Sequence, residues 1–279
     1  MSRTFLITGV SSGLGQAFAR EALAAGNLVV GTVRSPEQVE LFEALAPGRA
    51  VGRLLDVTDD RAVATVFDDV ERTVGPVDVL ISNAGYGLEG TVEETSIEDA
   101  RRQFDVNVFG SVAVIKAVLP HMRRRRGGHI FVVSSMAGLT ALPGVAFYGA
   151  SKFAMEGIAA SLAQEVAGFG IHVTSLALGS FRTDWAGRSM VRTPRTVADY
   201  DEVFGPIRAA RQAKDGRQAG DPARAARAVL QVLDSDKPPV HLVLGSDAVR
   251  LVEQGQRQLA DDLAAWSELS ASTDFRTDD

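Results

Sequence analysis

"TFLITGVSSGLG", Thr4 to Gly15, decides the fold. Thr4–Thr8 is β-branched or apolar throughout, as a strand covered on both faces is. Glycines follow, and an amphipathic helical pattern starts near residue 13. Gly9, Gly13 and Gly15 let the backbone turn sharply and approach a phosphate, which free N–H groups at the helix start then meet. The spacing is G-x-x-x-G-x-G rather than G-x-G-x-x-G. Gly9-Val10-Ser11-Ser12-Gly13 also matches the G-x-S-x-G nucleophile elbow of serine hydrolases, with Ser11 as nucleophile. Against that reading, the elbow would sit on the first strand and no H-G-G-G-type motif is present. The one histidine of the C-terminal third, His241, falls in a predicted strand.

Outward from this loop the pattern repeats. Strands are expected at 27–33, 50–55, 77–82, 129–134, 171–178 and 240–244. Helices are expected near 13–25, 36–46, 59–74, 99–126, 148–168 and 221–234. Strands alternating with helices imply right-handed βαβ units, and so an α/β fold with a parallel sheet covered on both faces. No linker divides the chain, so residues 1–245 are expected to form one catalytic domain. Residues 184–220 are polar and interrupt the last unit after a strand's carboxyl end, where a substrate lid would sit. Residues 246–279 form a helical extension to about Leu269, with a loose tail, "SASTDFRTDD".

Composition narrows the function. The chain has 279 residues, is 46% hydrophobic and contains no cysteine. Disulfides, thiolate metal sites and cysteine nucleophiles are therefore excluded, and a reducing cytoplasm is the expected location. A net charge of −6 argues against general nucleic-acid affinity. No apolar run reaches the roughly 18 residues of a membrane span. The four histidines, His121, His129, His172 and His241, show no metal-ligand spacing, so no metal is expected.

Cofactor choice is written at the end of the second strand, "GTVR". A carboxylate there would bind ribose hydroxyls, whereas an arginine accepts a 2′-phosphate. Val33 stands where the acid would be, and Arg34 follows. A planar guanidinium suits a phosphate, which favours NADP(H) over NAD. In "YGASK", Tyr148 and Lys152 share a helix face one turn apart. Carbonyl reduction needs a proton donor, and a cation beside a phenol is expected to move its pKa down from about 10 toward working pH.

Five stretches carry a resemblance in this order: "TGVSSGLG", "SNAG" (82–85), "VNVFG" (106–110), "VVSSMAG" (132–138) and "YGASK" (148–152). The chain resembles the short-chain dehydrogenase/reductase family, single-domain branch, over about residues 3–245. "GTVR", "FRTDWAGRSM" (181–190) and "PPVHLVLGSDA" (238–248) look like a bacterial NADP-linked group related to carbonyl and hydroxysteroid reductases. The resemblance implies a Rossmann doubly wound seven-stranded parallel sheet and a tetrad. In that tetrad Tyr148 is the general acid/base, Ser135 holds the substrate oxygen, Lys152 steadies the nicotinamide ribose and Tyr148, and Asn107 holds a water. It implies cofactor contacts from Gly9, Ser11, Ser12, Gly13, Leu14 and Gly15. Further contacts would come from Arg34, from Asp56 and Val57 at the adenine, from Asn83, Ala84 and Gly85 at the ribose, and from Gly179, Phe181 and Thr183 near the nicotinamide, beside Tyr148 and Lys152.

Two positions depart from the family pattern. Ser82 replaces an asparagine, and Leu178-Gly179 replaces a Pro-Gly whose proline would stiffen the nicotinamide loop. The implied activity is NADP(H)-dependent interconversion of a carbonyl and a secondary alcohol. An apolar pocket wall is expected near Tyr86, Leu88, Leu139, Leu142 and Val145, with a polar contact from Glu89. Phe181, Trp185, Met190 and Phe204 are open to two readings, substrate contacts or local core. Arg123–Arg126 read as the solvated end of a helix. A homodimer or homotetramer through helices 99–126 and 148–168 is expected, with no nucleic-acid or membrane partner. The alternatives are a non-catalytic NADP(H)-binding sensor or scaffold, which would have lost the tyrosine or lysine, and a sugar-nucleotide epimerase or dehydratase, which would need a larger C-terminal domain.

Overall fold

The computed structural model describes residues 2–275. The strands are β1 (Thr4–Thr8), β2 (Leu28–Val33), β3 (Ala50–Leu54), β4 (Val79–Ser82), β5 (Gly87–Glu89), β6 (Gly128–Val133), β7 (Ile171–Leu178), β8 (Met190–Arg192) and β9 (His241–Leu244). The helices are α1 (Gly13–Ala24), α2 (Pro36–Glu43), α3 (Asp60–Thr73), α4 (Ile97–Phe104), α5 (Ser111–Arg125), α6 (Ala146–Val166), α7 (Asp201–Ala213), α8 (Pro222–Leu233), α9 (Ser246–Ala265) and α10 (Ser267–Ala271). Seven strands form one parallel sheet in the order β3-β2-β1-β4-β6-β7-β9. The order reverses between β1 and β4, which opens a crevice at their carboxyl ends.

Strict alternation builds two cores. Leu6, Val30, Leu80, Ile130 and Val173 face α3, α5 and α6. Phe5, Ile7, Val29, Ile81, Phe131 and Leu176 face α1 and α8. β1, β2, β4 and β6 are thus mostly apolar on both sides, which is why they read as nearly continuous hydrophobic runs.

α4 and α5 form one continuous helix through a π-turn at Asp105–Gly110. Such a turn admits one extra residue, marks functional sites, and here aims Asn107 inward. By length and composition the helix Ile97–Arg125 would reach across a membrane, contrary to the expectation drawn from apolar runs. In this protein Val114, Ile115, Val118 and Met122 bury its apolar face in the core. Arg125, within the basic run at its end, pairs with Glu71 at 2.6 Å and donates to the Val77 carbonyl, so that cation anchors the helix as well as solvating it.

The lid is more ordered than its composition implies. β8 pairs in parallel with β5, and α7 follows. The Glu94 carboxylate accepts from Arg195 Nε at 3.0 Å and from the N–H groups of Thr196 and Val197. These bonds, the Val197 N–H first, hold Glu94 down to about 2. Glu89 is fully buried beneath the lid, with Arg192, Arg208 and Arg211 at 3.4, 3.6 and 3.7 Å. It ties β5 to the lid and does not line the cleft, which corrects its expected substrate contact. Beyond β9, α9 breaks at Trp266 before α10, so the helical extension runs to Ala271. The last four residues of the expected tail lie outside the described residues.

Candidate active site

A cleft of about 650 Å³ runs along the carboxyl edge of the sheet, across the point where strand order reverses. Its first wall is the glycine loop. Gly9 has φ +73°, which only glycine adopts readily. A Cβ on Gly15 would lie 2.2 Å from the Gly9 carbonyl oxygen, so this glycine lets the first turn of α1 close on the loop. Gly15 packs behind the cleft, while Gly9, Ser11, Ser12, Gly13 and Leu14 line it. Ser12 stands at the N-cap of α1 but makes no side-chain cap bond. The first N–H groups of the helix are therefore available to an anion.

Asn83 fixes this loop from β4. Its amide donates to the carbonyls of Thr8 (2.8 Å) and Gly9 (3.1 Å). The Thr8 hydroxyl in turn accepts from the N–H groups of Asn83 and Ala84, both at 2.9 Å. Thr8 was not singled out in the sequence, because its hydroxyl finds partners far along the chain. Asn83, Ala84 and Gly85 all line the cleft, but the Asn83 side chain is committed to the glycine loop.

At the far end of the first half, Arg34 is exposed beside the cleft and forms no ion pair among the described residues. Asp56 accepts from the Thr58 N–H and hydroxyl at 2.9 and 2.7 Å. Those bonds, ahead of the Arg34 charge, hold its carboxyl below the usual range. Val57 lines the cleft next to it.

The second half gathers the tetrad. Tyr148 and Lys152 sit on the inner face of α6 and are buried. Lys152 Nζ donates to the Val133 carbonyl at 2.8 Å and lies 5.8 Å from the Tyr148 ring centre. Ser135 caps the short turn Met136–Gly138 by accepting from the Ala137 N–H at 3.1 Å. Asn107 clamps the β4–β5 loop, accepting from the Tyr86 N–H and donating to the Tyr86 carbonyl, and reaches the Ser151 hydroxyl at 3.3 Å. All four residues are brought together, although Asn107 stands behind the cleft wall rather than on it.

Electrostatics correct one expectation. Burial pushes the Tyr148 phenol up to about 12, with the Ser135 hydroxyl working against it. Burial also pulls the Lys152 ammonium down to about 8, opposed by the Glu156 carboxylate. In the protein alone, desolvation outweighs the neighbouring cation that was expected to lower the phenol, because both groups lie in low dielectric.

The remaining wall is the substrate end. Leu142, Val145 and Trp185 pack with Tyr148, whose ring centre lies 5.2 Å from that of Trp185. Leu88 and Leu139, expected on this wall, are not among its lining residues. Phe181 and Trp185 line the cleft, whereas Met190 and Phe204 are lid core, packed against Gly87 and Gly144. Thr183 and Gly179 also face the cleft. The loop that lacks the family's proline is held otherwise: the Ser180 N–H donates to Asp247 Oδ2 at 2.9 Å. Asp247 opens α9, so the first turn of the C-terminal extension braces this loop. No spacing in the sequence signalled that contact. Arg211, Lys214 and Gln218 complete the wall.

The family described as short chain dehydrogenase matches residues 3–191. Oxidoreductase BOA17 of Botryotinia fuckeliana is 38% identical over 274 residues, covering 98% of this chain and 100% of that protein. Retinol dehydrogenase 8 of Homo sapiens is 35% identical over 255 residues, covering 85% of this chain and 80% of that one. The crystal structure of a short-chain dehydrogenase from Streptomyces avermitilis superposes with a TM-score of 0.92 at 38% identity, covering 98% of each chain. The chain belongs to the short-chain dehydrogenase/reductase family, whose members are oxidoreductases of CH–OH and C=O groups. A nicotinamide dinucleotide fits the residues present, since the uncapped α1 terminus and the glycine cradle open directly onto the cleft.

Proposed function

We propose that the protein is an NADP(H)-dependent oxidoreductase that interconverts a small apolar carbonyl compound and its secondary alcohol, with Tyr148 as general acid/base. One observation carries this reading most: a buried phenol, pushed up to about 12, faces an apolar pocket beside Ser135 and Lys152. A phenol so held is protonated at neutral pH and so carries the proton that carbonyl reduction requires. The glycine loop, the α1 N-terminus and Arg34 would hold the dinucleotide, which supplies hydride when bound. Ser135 directs its hydroxyl to the substrate oxygen and orients it. Tyr148 gives that oxygen a proton as negative charge forms. Lys152 steadies the nicotinamide ribose and the phenol, and Asn107 holds the loop behind them. The similarity to a retinol dehydrogenase supports an apolar substrate, as do Leu142, Val145 and Trp185. A panel of ketones, aldehydes and secondary alcohols with each nicotinamide cofactor, followed by ultraviolet absorbance, tests the activity.

The NADP(H) choice rests on Arg34. It is exposed at the end of β2, with Val33 rather than a carboxylate before it. Charge-assisted hydrogen bonds are each worth about 1.5–3 kcal/mol, so Arg34→Ala is expected to weaken NADPH roughly ten- to a hundredfold. NADH affinity should change little. Fluorescence titration of both cofactors decides this, and wild type binding NADH as tightly as NADPH would make Arg34 a surface residue only.

A further inference from the structure

Beneath α6 a row of polar groups leads from the active site toward the edge of the sheet. Glu156 follows Lys152 by one helical turn, and its side chain is only 5% exposed. His241, on the edge strand β9, places Nδ1 2.6 Å from Glu156 Oε2 while its own side chain is 40% exposed. The register sets His241 beside Ser175 of β7. Alternation sends Leu176 and Leu242 to the core beneath α1 and α8, and so turns Ser175 and His241 toward α6. Glu156 Oε1 and the Ser175 hydroxyl are buried without hydrogen-bond partners among the described residues.

A buried carboxylate is costly unless cations or hydrogen bonds hold it. Two ionisable groups face Glu156: Lys152 from its own helix and His241 from β9. β7 presents only the Ser175 hydroxyl, and His241 is the one ion-pair partner within 4 Å among the described residues. Burial works against the Lys152 ammonium, and the Glu156 carboxylate is the charge that opposes it. Nothing in the packing of α6 requires an acid at this position, where its neighbours Met155 and Ala159 are apolar core.

We propose that Glu156, oriented by His241, is a positioning residue that keeps Lys152 in its ammonium form at the active site. This rests on the reading that Lys152 serves the nicotinamide ribose and Tyr148. An ammonium donates stronger hydrogen bonds than a neutral amine, to the Val133 carbonyl and to a ribose alike. His241 also connects the pair to water.

The chain contains only four lysines, Lys116, Lys152, Lys214 and Lys237, and the other three are exposed. Protein labelled with 13C-lysine therefore gives few side-chain resonances, and Lys152 is assigned by its loss in Lys152→Arg. Titrated without cofactor, wild-type Lys152 should have its midpoint near 8. Glu156→Gln should lower its proton affinity about tenfold or more, the usual effect of removing a close opposite charge. Glu156→Asp should restore most of it, and the three exposed lysines should not move. Glu156→Met is the second neutral variant, because apolar replacement of a buried charge is often tolerated where a polar one is not. A wild-type Lys152 midpoint in either neutral variant, with circular dichroism showing a folded protein, would overturn the proposal. The titration reads no turnover, so it stands apart from the proposed function: an active Tyr148→Phe would sink that reading alone, and an unmoved Lys152 would sink only this one.

Discussion

Tyr148→Phe should lower kcat by about 10²- to 10⁴-fold, the usual contribution of a positioned general acid, while leaving NADPH affinity near wild type. The phenyl ring keeps its contacts with Trp185, Leu142 and Val145, so the pocket should survive and the loss should fall on turnover. A pH profile sharpens the assignment. The donor must be protonated, so activity that depends on it is lost only as pH rises through the folded pKa. For the Tyr148 phenol of the protein alone that point is about 12. Lys152, held at about 8, titrates well before it. An alkaline limb in the wild-type reductase rate thus belongs to Lys152 first. Substantial reductase activity in pure Tyr148→Phe would remove the phenol from the chemistry.

Ser135→Ala is expected to lower kcat/KM by about 10²- to 10³-fold, the size of losing one donor to a developing oxyanion. Ser135 also caps the turn Met136–Gly138, so part of the loss could come from a loosened loop. Melting temperature separates the two effects, since a chemical role lowers the rate far more than the stability. Ser134→Ala is the control. The Ser134 hydroxyl is buried, has no hydrogen-bond partner among the described residues and sits near the backbone of Lys152, as the space around Gly138 shows. If Ser134→Ala alone produced the loss, the substrate oxygen would belong to the other serine of the pair.

Both variants concern residues that local pattern had already marked, and the limits of that legibility are physical. β1 and β7 match their expected bounds, Thr4–Thr8 and Ile171–Leu178, because each is a buried, β-branched or Leu-rich stretch with a glycine just beyond its carboxyl end. β5 and β8 were not legible. Each has three residues, and their pairing joins Gly87 to Met190 across a hundred positions of chain. α7 hid in a polar segment with Gly205 and Pro206 inside it, against helix propensity. The π-turn that presents Asn107 leaves no periodic trace short enough to read.

At the site, residue identity carried further than environment. The glycine loop and the Tyr148–Lys152 pair were marked by type and spacing, whereas Ser135 and Asn107 came from the family resemblance. Asp247, which braces the loop after β7, acts through a contact between distant segments. Glu89 read as a substrate contact because its partners Arg192, Arg208 and Arg211 lie far along the chain. The shift of the Tyr148 phenol depends on burial, which no motif encodes.

The proposed chemistry interconverts carbonyl and alcohol at this cleft at the expense of a nicotinamide cofactor. Its most direct measurement is product stoichiometry. Wild type is mixed with NADPH and each carbonyl compound of the panel that supports absorbance loss, and the alcohol is quantified by chromatography. The expected result is one alcohol formed for each NADPH consumed, and neither change with Tyr148→Phe. NADPH consumed without alcohol, or equal product from wild type and Tyr148→Phe, would contradict it.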